Sequence, residues 1–206
     1  MNSGKLYIIS APSGAGKTSL LAQLIATLPN IEISVSHTTR APREGEVDGK
    51  HYHFISETQF KEKIEHHAFI EHANVFDNFY GTSSTSVEGK TRLGVDVILE
   101  IDWQGAQQVR EKYSDAVSIF ILPPSINTLN RRLRKRAQDD EQTIQKRLSK
   151  AQQEIAHFKN YDYVVINDDF DVALSELKAI FVSNRLHVSR FQLEKNDLIN
   201  ELLSIP

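Results

Sequence analysis

The sequence contains no cysteine among its 206 residues, and its net charge is small. The absence of cysteine excludes disulfides, a thiolate nucleophile and a Cys-ligated metal. A formal net charge of −3 gives no general reason to expect a nucleic acid or an anionic membrane as partner. No apolar run approaches the roughly 20 residues that a membrane-spanning helix needs, and the first residues lack the pattern of a signal peptide. We therefore expect a soluble, cytoplasmic protein.

Short apolar runs alternate with helical patterns along most of the chain. The runs cover residues 6–10, 95–101, 117–122 and 163–166. Helical patterns cover residues 18–28, 104–112, 125–135 and 171–186. Strands that are apolar throughout, rather than alternating, are typical of a parallel sheet covered on both faces. The sequence therefore predicts an α/β fold, with an open parallel sheet flanked by helices.

Two segments depart from this alternation. Residues 31–84 mix short β-type pieces, at 33–35 and 52–55, with many charges and one helix. That helix begins at Ser56 with Gln59 three residues later, which is a capping-box pattern. We interpret about 33–84 as an inserted mixed α+β subdomain. Residues about 131–159 are dense in charge and predict a helical lid, which leaves a core of 1–32, 85–130 and 160–206.

A glycine-rich segment between the first strand and the first helix predicts a nucleotide site. It reads Ala11-Pro12-Ser13-Gly14-Ala15-Gly16-Lys17-Thr18. In a P-loop the glycines let backbone N–H groups face an anion. The lysine reaches the β- and γ-phosphates, and the Ser/Thr hydroxyl ligates Mg²⁺. Ala11 stands where the pattern has glycine, which is tolerable if its φ is negative. The motif indicates a nucleoside triphosphate without choosing a reaction.

A second anion site is expected in the inserted subdomain. Arg40 and Arg43 lie three residues apart in a loop rich in Gly and Pro, and guanidinium groups match phosphate oxygens bidentately. Tyr52 follows with a neutral hydroxyl donor. A carboxylate such as Glu71 can accept both the ring N–H and the exocyclic amine of guanine, a pair that adenine lacks. A hydroxyl such as Thr82 can bond the guanine O6.

These segments together resemble the guanylate kinase family, in its bacterial form. The resemblance runs almost end to end, through APSGAGKT, SHTTRAPREGEVDGKHYHF, FIEHANVF, FYGTS, ILEIDWQGAQQVR, ILPP and VINDDF. It implies phosphoryl transfer from ATP to GMP or dGMP, with Mg²⁺ as the metal. The ATP-binding residues that it implies are Ser13, Gly14, Ala15, Gly16, Lys17, Thr18, Arg132, Arg136 and Asn167.

The resemblance also assigns the acceptor side. The GMP phosphate would be held by Ser36, Arg40, Arg43 and Tyr52, with Tyr80 assisting. Glu71 and Thr82 would read guanine, next to Gly81. Glu100 and Asp102 would lie near the nucleotide and the hydrated Mg²⁺, with Asp102 acting through water; a structural role for both carboxylates stays open. Asn167 would lie near adenine, although a helix cap explains its cluster almost as well.

Arginines of the lid complete the implied catalytic set. Arg132, Arg136 and Arg147 match family residues that close over the ATP phosphates, and the last two would stabilise the transition state with Arg43. Ala137 replaces a usual glycine directly after Arg136, so the lid hinge is expected to be less permissive. The remaining basic side chains of this segment are expected to lie on the solvated surface. The acidic residues between them argue against a nucleic-acid-binding site.

Two alternatives remain at the level of sequence. One is a catalytically inactive guanylate-kinase-like module that binds protein, and the other is a P-loop kinase for a different monophosphate. The complete P-loop and acceptor residues favour an active enzyme, and Glu71 argues against AMP. A metal site at His51 and His53 lacks a third ligand at zinc-like spacing.

Overall fold

A five-stranded parallel sheet forms the centre of the structure, a computed structural model that describes residues 4–75, 77–135 and 141–204. The described strands are β1 (Leu6–Ser10), β2 (Ile31–Ile33), β3 (His37–Thr38), β4 (His53–Phe54), β5 (Phe69–Val75), β6 (Asn78–Ser83), β7 (Asp96–Glu100), β8 (Val117–Leu122) and β9 (Tyr163–Ile166). The described α-helices are α1 (Lys17–Thr27), α2 (Glu57–Glu65), α3 (Ser84–Arg92), α4 (Trp103–Lys112), α5 (Ile126–Lys135), α6 (Glu141–Ala156), α7 (Phe170–Leu186), α8 (Val188–Glu194) and α9 (Asn196–Leu203).

The strand order of the main sheet is β2-β7-β1-β8-β9, and all of its pairings are parallel. Successive residues of a strand point to opposite faces. Tyr7 and Ile9 of β1 pack with α1 and α7, whereas Leu6 and Ile8 pack with Val109 of α4 on the other face. Burial on both faces explains why these strands are apolar throughout. The predicted open parallel sheet flanked by helices is confirmed.

One strand of the main sheet differs from the sequence interpretation. Residues 33–35 were expected to form a β-type piece of the insertion, but Ile31–Ile33 pairs with β7 at the edge of the main sheet. The strand is short and its middle residue, Glu32, is exposed. A three-residue edge strand with an exposed charge carries neither a continuous apolar run nor a long alternation, so sequence periodicity does not identify it.

A second, mixed sheet is formed by β4-β3-β6-β5. Strands β3 and β4 run parallel, and β6 runs antiparallel to both β3 and β5. Helix α2 packs on this sheet through Phe60, whose ring lies 4.6 Å from that of Phe69. The Ser56 hydroxyl accepts from the Gln59 N–H, and the Gln59 side chain accepts from the Ser56 N–H. The predicted capping box is therefore present.

Helices α5 and α6 lie beside the P-loop side of the main sheet. They pack together through Leu129, Leu133 and Ala151. A short 3₁₀ segment, His157–Asn160, follows α6, and the His157 ring stacks on Trp103 at 3.9 Å. The start of this segment therefore packs against Trp103, the first residue of α4. In the described part of the chain no helix is long and apolar enough to cross a membrane.

A buried carboxylate joins the C-terminal helices to the sheet. Asp96, at the start of β7, is fully buried and accepts from the Lys5 N–H at 2.9 Å. It also accepts from Arg185 at 2.8 Å and from Arg190 at 2.7 Å. When one partner of a buried, hydrogen-bonded ion pair is changed, the folded protein is strongly destabilised.

We expect Asp96→Asn to lower the free energy of unfolding by about 2–3 kcal/mol, because it leaves the two arginines facing a neutral amide. Urea unfolding monitored by circular dichroism measures the change. Glu57→Gln is the control, since its pair with Lys61 is exposed and such pairs contribute less than about 0.5 kcal/mol. Equal stabilities for the two variants would contradict the prediction.

Candidate active site

The turn between β1 and α1 has the backbone of an anion cradle. Gly14 and Gly16 have φ of 91° and 93°, values that side-chain-bearing residues rarely adopt. The Ala15 N–H donates to the Pro12 carbonyl at 3.0 Å and closes the turn. The described non-glycine residues with positive φ do not include Ala11. The departure from glycine at Ala11 therefore introduces no backbone strain.

Two side chains from distant parts of the sequence hold this loop in place. The buried Asn167 amide donates to the Ala15 carbonyl at 2.6 Å. Arg132 donates to the same carbonyl at 3.3 Å and to the Asn167 carbonyl at 3.1 Å. A Cβ on Gly16 would lie 2.3 Å from the Asn167 amide nitrogen. The loop, Asn167 and α5 therefore form one packed unit.

The cap of α7 is a separate residue. Asp169 accepts from the N–H groups of Asp171 and Val172 at 2.9 and 3.0 Å. Asn167 therefore does not cap that helix, and its amide is bonded to the P-loop instead. It also lines a cavity of about 340 Å³ at the outer side of the loop, together with Gly14, Gly16, Ser19, Arg132, Lys135, Asp168 and Phe170.

The P-loop lysine points towards the carboxyl end of β7. Lys17 Nζ lies 3.5 Å from Glu100 Oε1. Thr18 follows in the first turn of α1 and is exposed. Asp102 has a structural role: its carboxylate caps α4 by accepting from the N–H groups of Gln104 and Gly105 at 3.1 and 3.0 Å. A cap requires an acceptor at this position, and the carboxylate still borders the central cavity.

The central cavity, which Asp102 borders, has a volume of about 140 Å³. Its lining comes from the P-loop, the mixed sheet and the end of β7, and consists of Ala11, Lys17, Ser36, Tyr52, Glu71, Ala73, Val75, Tyr80, Glu100, Ile101 and Asp102. Residues that are far apart in the sequence, and that were assigned separately to ATP and GMP, therefore line one cavity. The described lining does not include Arg40, Arg43 or Arg147.

Glu71 is a buried acid that lines the cavity. Its side chain is 3% exposed, and Oε1 accepts a 2.6 Å hydrogen bond from the Thr82 hydroxyl. Burial, with a smaller contribution from the charge of Asp102, raises the pKa of Glu71 to about 7. The Ser36 hydroxyl lies 3.0 Å from that of Thr82. Since Thr82 gives its only proton to Glu71, Ser36 is the donor in that second bond.

The structure adds protein contacts for two hydroxyls that were predicted to bind GMP. Ser36 was assigned to the phosphate and Thr82 to the guanine O6. In the structure Ser36 supports Thr82, and Thr82 supports Glu71. Gly81 is buried beside them, and a Cβ there would lie 3.0 Å from Phe60 and 3.1 Å from Phe69. Close packing by these two rings accounts for the glycine.

The loop between β3 and β4 carries the two predicted arginines, which have different environments. Arg40 is half-buried and donates to Glu46 at 2.8 Å, and its Cζ lies 5.5 Å from the centre of the Tyr52 ring. Glu46 also accepts from the Arg43 N–H at 2.7 Å, and the hydrogen bond from Arg40 lowers the pKa of Glu46. Arg43 itself is exposed. Sequence reasoning missed Glu46, although it stands three residues after Arg43.

Two tyrosines, Tyr52 and Tyr80, also line the cavity. The rings of Tyr52 and Tyr80 meet edge to face at 5.9 Å. Burial, and after it the charge of Glu100, raises the pKa of Tyr52 to about 12. The phenol therefore stays protonated at neutral pH and can donate to an anion.

The residues predicted to form the lid are only partly described. Arg147 is half-buried on α6, and Arg132 is bonded to the P-loop carbonyl. Arg136 and Ala137 lie outside the described residues. The Thr18 hydroxyl and the carboxylates of Glu100 and Asp102 supply oxygen atoms, which are the hard ligands that suit Mg²⁺ shared with phosphates. Among the described residues no group of three His, Asp or Glu side chains could hold a metal ion.

Comparisons with known proteins agree with this geometry. The family model described as "Guanylate kinase" matches residues 3–184. Guanylate kinase of Salmonella typhimurium is 55% identical and that of Escherichia coli K12 is 54% identical, each over 99% of this chain and 100% of the relative. A crystal structure of guanylate kinase from Anaplasma phagocytophilum is 37% identical, with a TM-score of 0.74 over 92% of this chain and 90% of that one. This chain belongs to the guanylate kinase family.

Proposed function

We propose that the chain transfers the γ-phosphoryl group of ATP to GMP or dGMP and forms ADP and GDP or dGDP. The observation that supports this function is the shared cavity, in which Lys17 of the P-loop faces Glu71, Tyr52 and Tyr80 of the mixed sheet. A kinase for a monophosphate needs both substrates in one cavity, because direct transfer requires the attacking oxygen to lie in line with the γ-phosphorus.

The donor phosphates bind the P-loop. N–H groups from Ser13 to Thr18 face them, and Lys17 neutralises charge on the β- and γ-phosphates. Arg132 and Asn167 keep the loop in shape through the Ala15 carbonyl. Mg²⁺ would be held by Thr18, with Asp102 acting through water, and would supply charge neutralisation at the ATP phosphates.

The acceptor phosphate binds Arg40, Arg43 and the phenols of Tyr52 and Tyr80. Arg40 is already oriented by Glu46, which reduces the conformational entropy lost on binding. A GMP phosphate oxygen attacks the γ-phosphorus directly, with no covalent enzyme intermediate. Arg43, Arg136 and Arg147 stabilise the charge of the transferring group.

Guanine binds at Glu71. Its ring N–H and exocyclic amine donate to the ionised carboxylate, which Thr82 and Ser36 hold in place. Adenine presents an acceptor at the ring nitrogen and is therefore opposed by a carboxylate. Glu71 thus selects the acceptor nucleotide.

We propose that the enzyme consists of the three parts predicted from its sequence. The core is 1–32, 85–130 and 160–206, the GMP-binding subdomain about 33–84, and the lid about 131–159. The mixed sheet β3 to β6 falls within the second part, and α6 falls within the third. We place the enzyme in the cytoplasm, where ATP and GMP occur together.

Release of ADP, coupled to NADH oxidation, tests the proposed function with GMP, dGMP and AMP as acceptors. We expect turnover with GMP and dGMP and little with AMP. Equal turnover with AMP would refute guanine selection and favour a kinase for another monophosphate. No turnover with any monophosphate would favour a protein-binding module.

Binding of GMP should weaken as the pH falls below neutrality. With a pKa of about 7 for Glu71, the carboxyl gains a proton below pH 7, and its O–H then faces the guanine donors. The KM for GMP is expected to rise by up to about tenfold per pH unit between pH 7 and 6. Initial rates at saturating ATP measure it.

The GMP phosphate also titrates near pH 6, so a control is needed. In the Glu71→Gln variant the titrating carboxyl of the protein is removed, whereas the GMP phosphate still titrates. We expect its KM to vary with pH less steeply than that of the wild type. Parallel profiles for the two proteins would show that Glu71 does not cause the dependence.

A further inference from the structure

A glycine without an evident backbone reason lies against the guanine-reading carboxylate. Gly105 is buried in the first turn of α4. Its φ is not in the positive range where glycine is favoured. In a helix interior, alanine is normally more stable than glycine. The helix alone therefore does not explain glycine at this position.

The space beside Gly105 is occupied by Glu71. A Cβ on Gly105 would lie 2.4 Å from Glu71 Oε2 and 3.2 Å from its Cδ. Ile101 Cβ would be 3.4 Å away, which is ordinary contact. The conflict is therefore with the carboxylate alone, and the absence of a side chain makes room for it.

Helix α4 cannot retreat from Glu71 without losing hydrogen bonds to β5. The Gln108 side chain donates to the His72 carbonyl at 2.7 Å and accepts from the His72 N–H at 3.1 Å. Lys112 donates to the Ile70 carbonyl at 2.8 Å. Gln108 and Lys112 follow Gly105 by three and seven residues, so all three lie on one face of the helix. These bonds fix α4 on both sides of Glu71 in β5.

The carboxylate itself has little freedom to move sideways. Oε1 is held by Thr82 at 2.6 Å, and the side chain is almost completely buried. An added methyl group at Gly105 therefore displaces Oε2 relative to the cavity. Guanine needs both oxygens, one for each N–H, so displacement of one oxygen weakens recognition of the base.

We propose that Gly105 is a positioning residue that sets the location of the Glu71 carboxylate and thereby determines selection of guanine. This inference rests on the proposed function of the same cavity. Gly105 touches no substrate in this scheme and acts only through Glu71.

The test compares the wild type, Gly105→Ala, Glu71→Asp and the double variant in ADP-release kinetics. For Gly105→Ala we expect the KM for GMP to rise about ten- to a hundredfold, because a buried hydrogen bond between Glu71 and guanine is weakened. The KM for ATP and the kcat at saturating GMP should change little, and the ratio of GMP to AMP turnover should fall. Aspartate at position 71 is shorter than glutamate by one methylene and leaves room for the added methyl group. In the Gly105→Ala background, Glu71→Asp should therefore restore part of the lost GMP affinity.

Gly89→Ala is the matched control. Gly89 also lies in a helix, α3, where an added Cβ meets nothing within 4 Å. Its KM for GMP should equal that of the wild type. A Gly105→Ala enzyme with unchanged KM, or effects of Gly105→Ala and Glu71→Asp that simply multiply, would overturn the inference.

Thermal unfolding of the same proteins shows whether each variant folds, so the inference can be tested even if Gly105→Ala does not fold. If Gly105→Ala unfolds but the double variant folds, the conflict is with Glu71 and the inference stands. If both unfold, Gly105 is required for packing of α4 and the inference is overturned. Absence of GMP turnover in the wild type would refute the proposed function itself. Normal wild-type turnover with an unaffected Gly105→Ala would refute only the role of Gly105.

Discussion

Replacement of Lys17 by methionine is expected to lower kcat by about 10³-fold, close to 4 kcal/mol of transition-state stabilisation. Lys17 is the side-chain cation of the P-loop, and its Nζ lies 3.5 Å from Glu100 at the border of the shared cavity. Methionine retains most of the length of the side chain and removes the charge. The loss therefore reports on charge neutralisation rather than on packing.

Single-turnover kinetics with ATP and GMP measure the effect, and circular dichroism checks the fold. Lys61→Met is the control, since Lys61 lies on α2 in an exposed pair with Glu57. We expect its kcat to be that of the wild type. A Lys17→Met enzyme with nearly normal kcat would mean that the P-loop lysine has no part in phosphoryl transfer.

Replacement of Glu71 by glutamine is expected to lower kcat/KM for GMP by about 10²- to 10³-fold while the KM for ATP changes little. The amide offers one acceptor where guanine needs two and turns a donor towards the base, and an unpaired buried polar group is costly. The ratio of GMP to AMP turnover should fall by a similar factor, because the amide no longer opposes adenine.

Kinetics with GMP and AMP, each at saturating ATP, test this prediction. Glu62→Gln makes the same chemical change on an exposed position of α2 in the same subdomain, and it should retain guanine selection. A parallel loss of ATP binding in Glu71→Gln would contradict the placement of Glu71 on the acceptor side.

The nucleotide-binding loop could be predicted from sequence because its causes are local. A buried strand, two glycines with positive φ and a lysine at the start of a helix lie within a dozen consecutive residues. The main strands and the capped helix at Ser56 were predictable for the same reason. Each depends on neighbours that are close in the chain.

Partners from distant segments could not be predicted in this way. Asn167 bonds to the carbonyl of Ala15, 152 residues away. Ser36 supports Thr82, 46 residues away. The family resemblance assigned Ser36 and Asn167 to ligands, but neither it nor sequence spacing shows which protein groups these residues contact.

The sequence by itself determined the fold class, the phosphate cradle and the two arginines and one carboxylate that point to GMP, because these features rest on residue type and local spacing. Only the tertiary structure decided what surrounds the carboxylate. The hydroxyls of Ser36 and Thr82 hold it, burial raises its pKa, and Gly105 leaves room for it. These contacts arise where β3, β5, β6 and α4 pack together, and no run of neighbouring residues contains them.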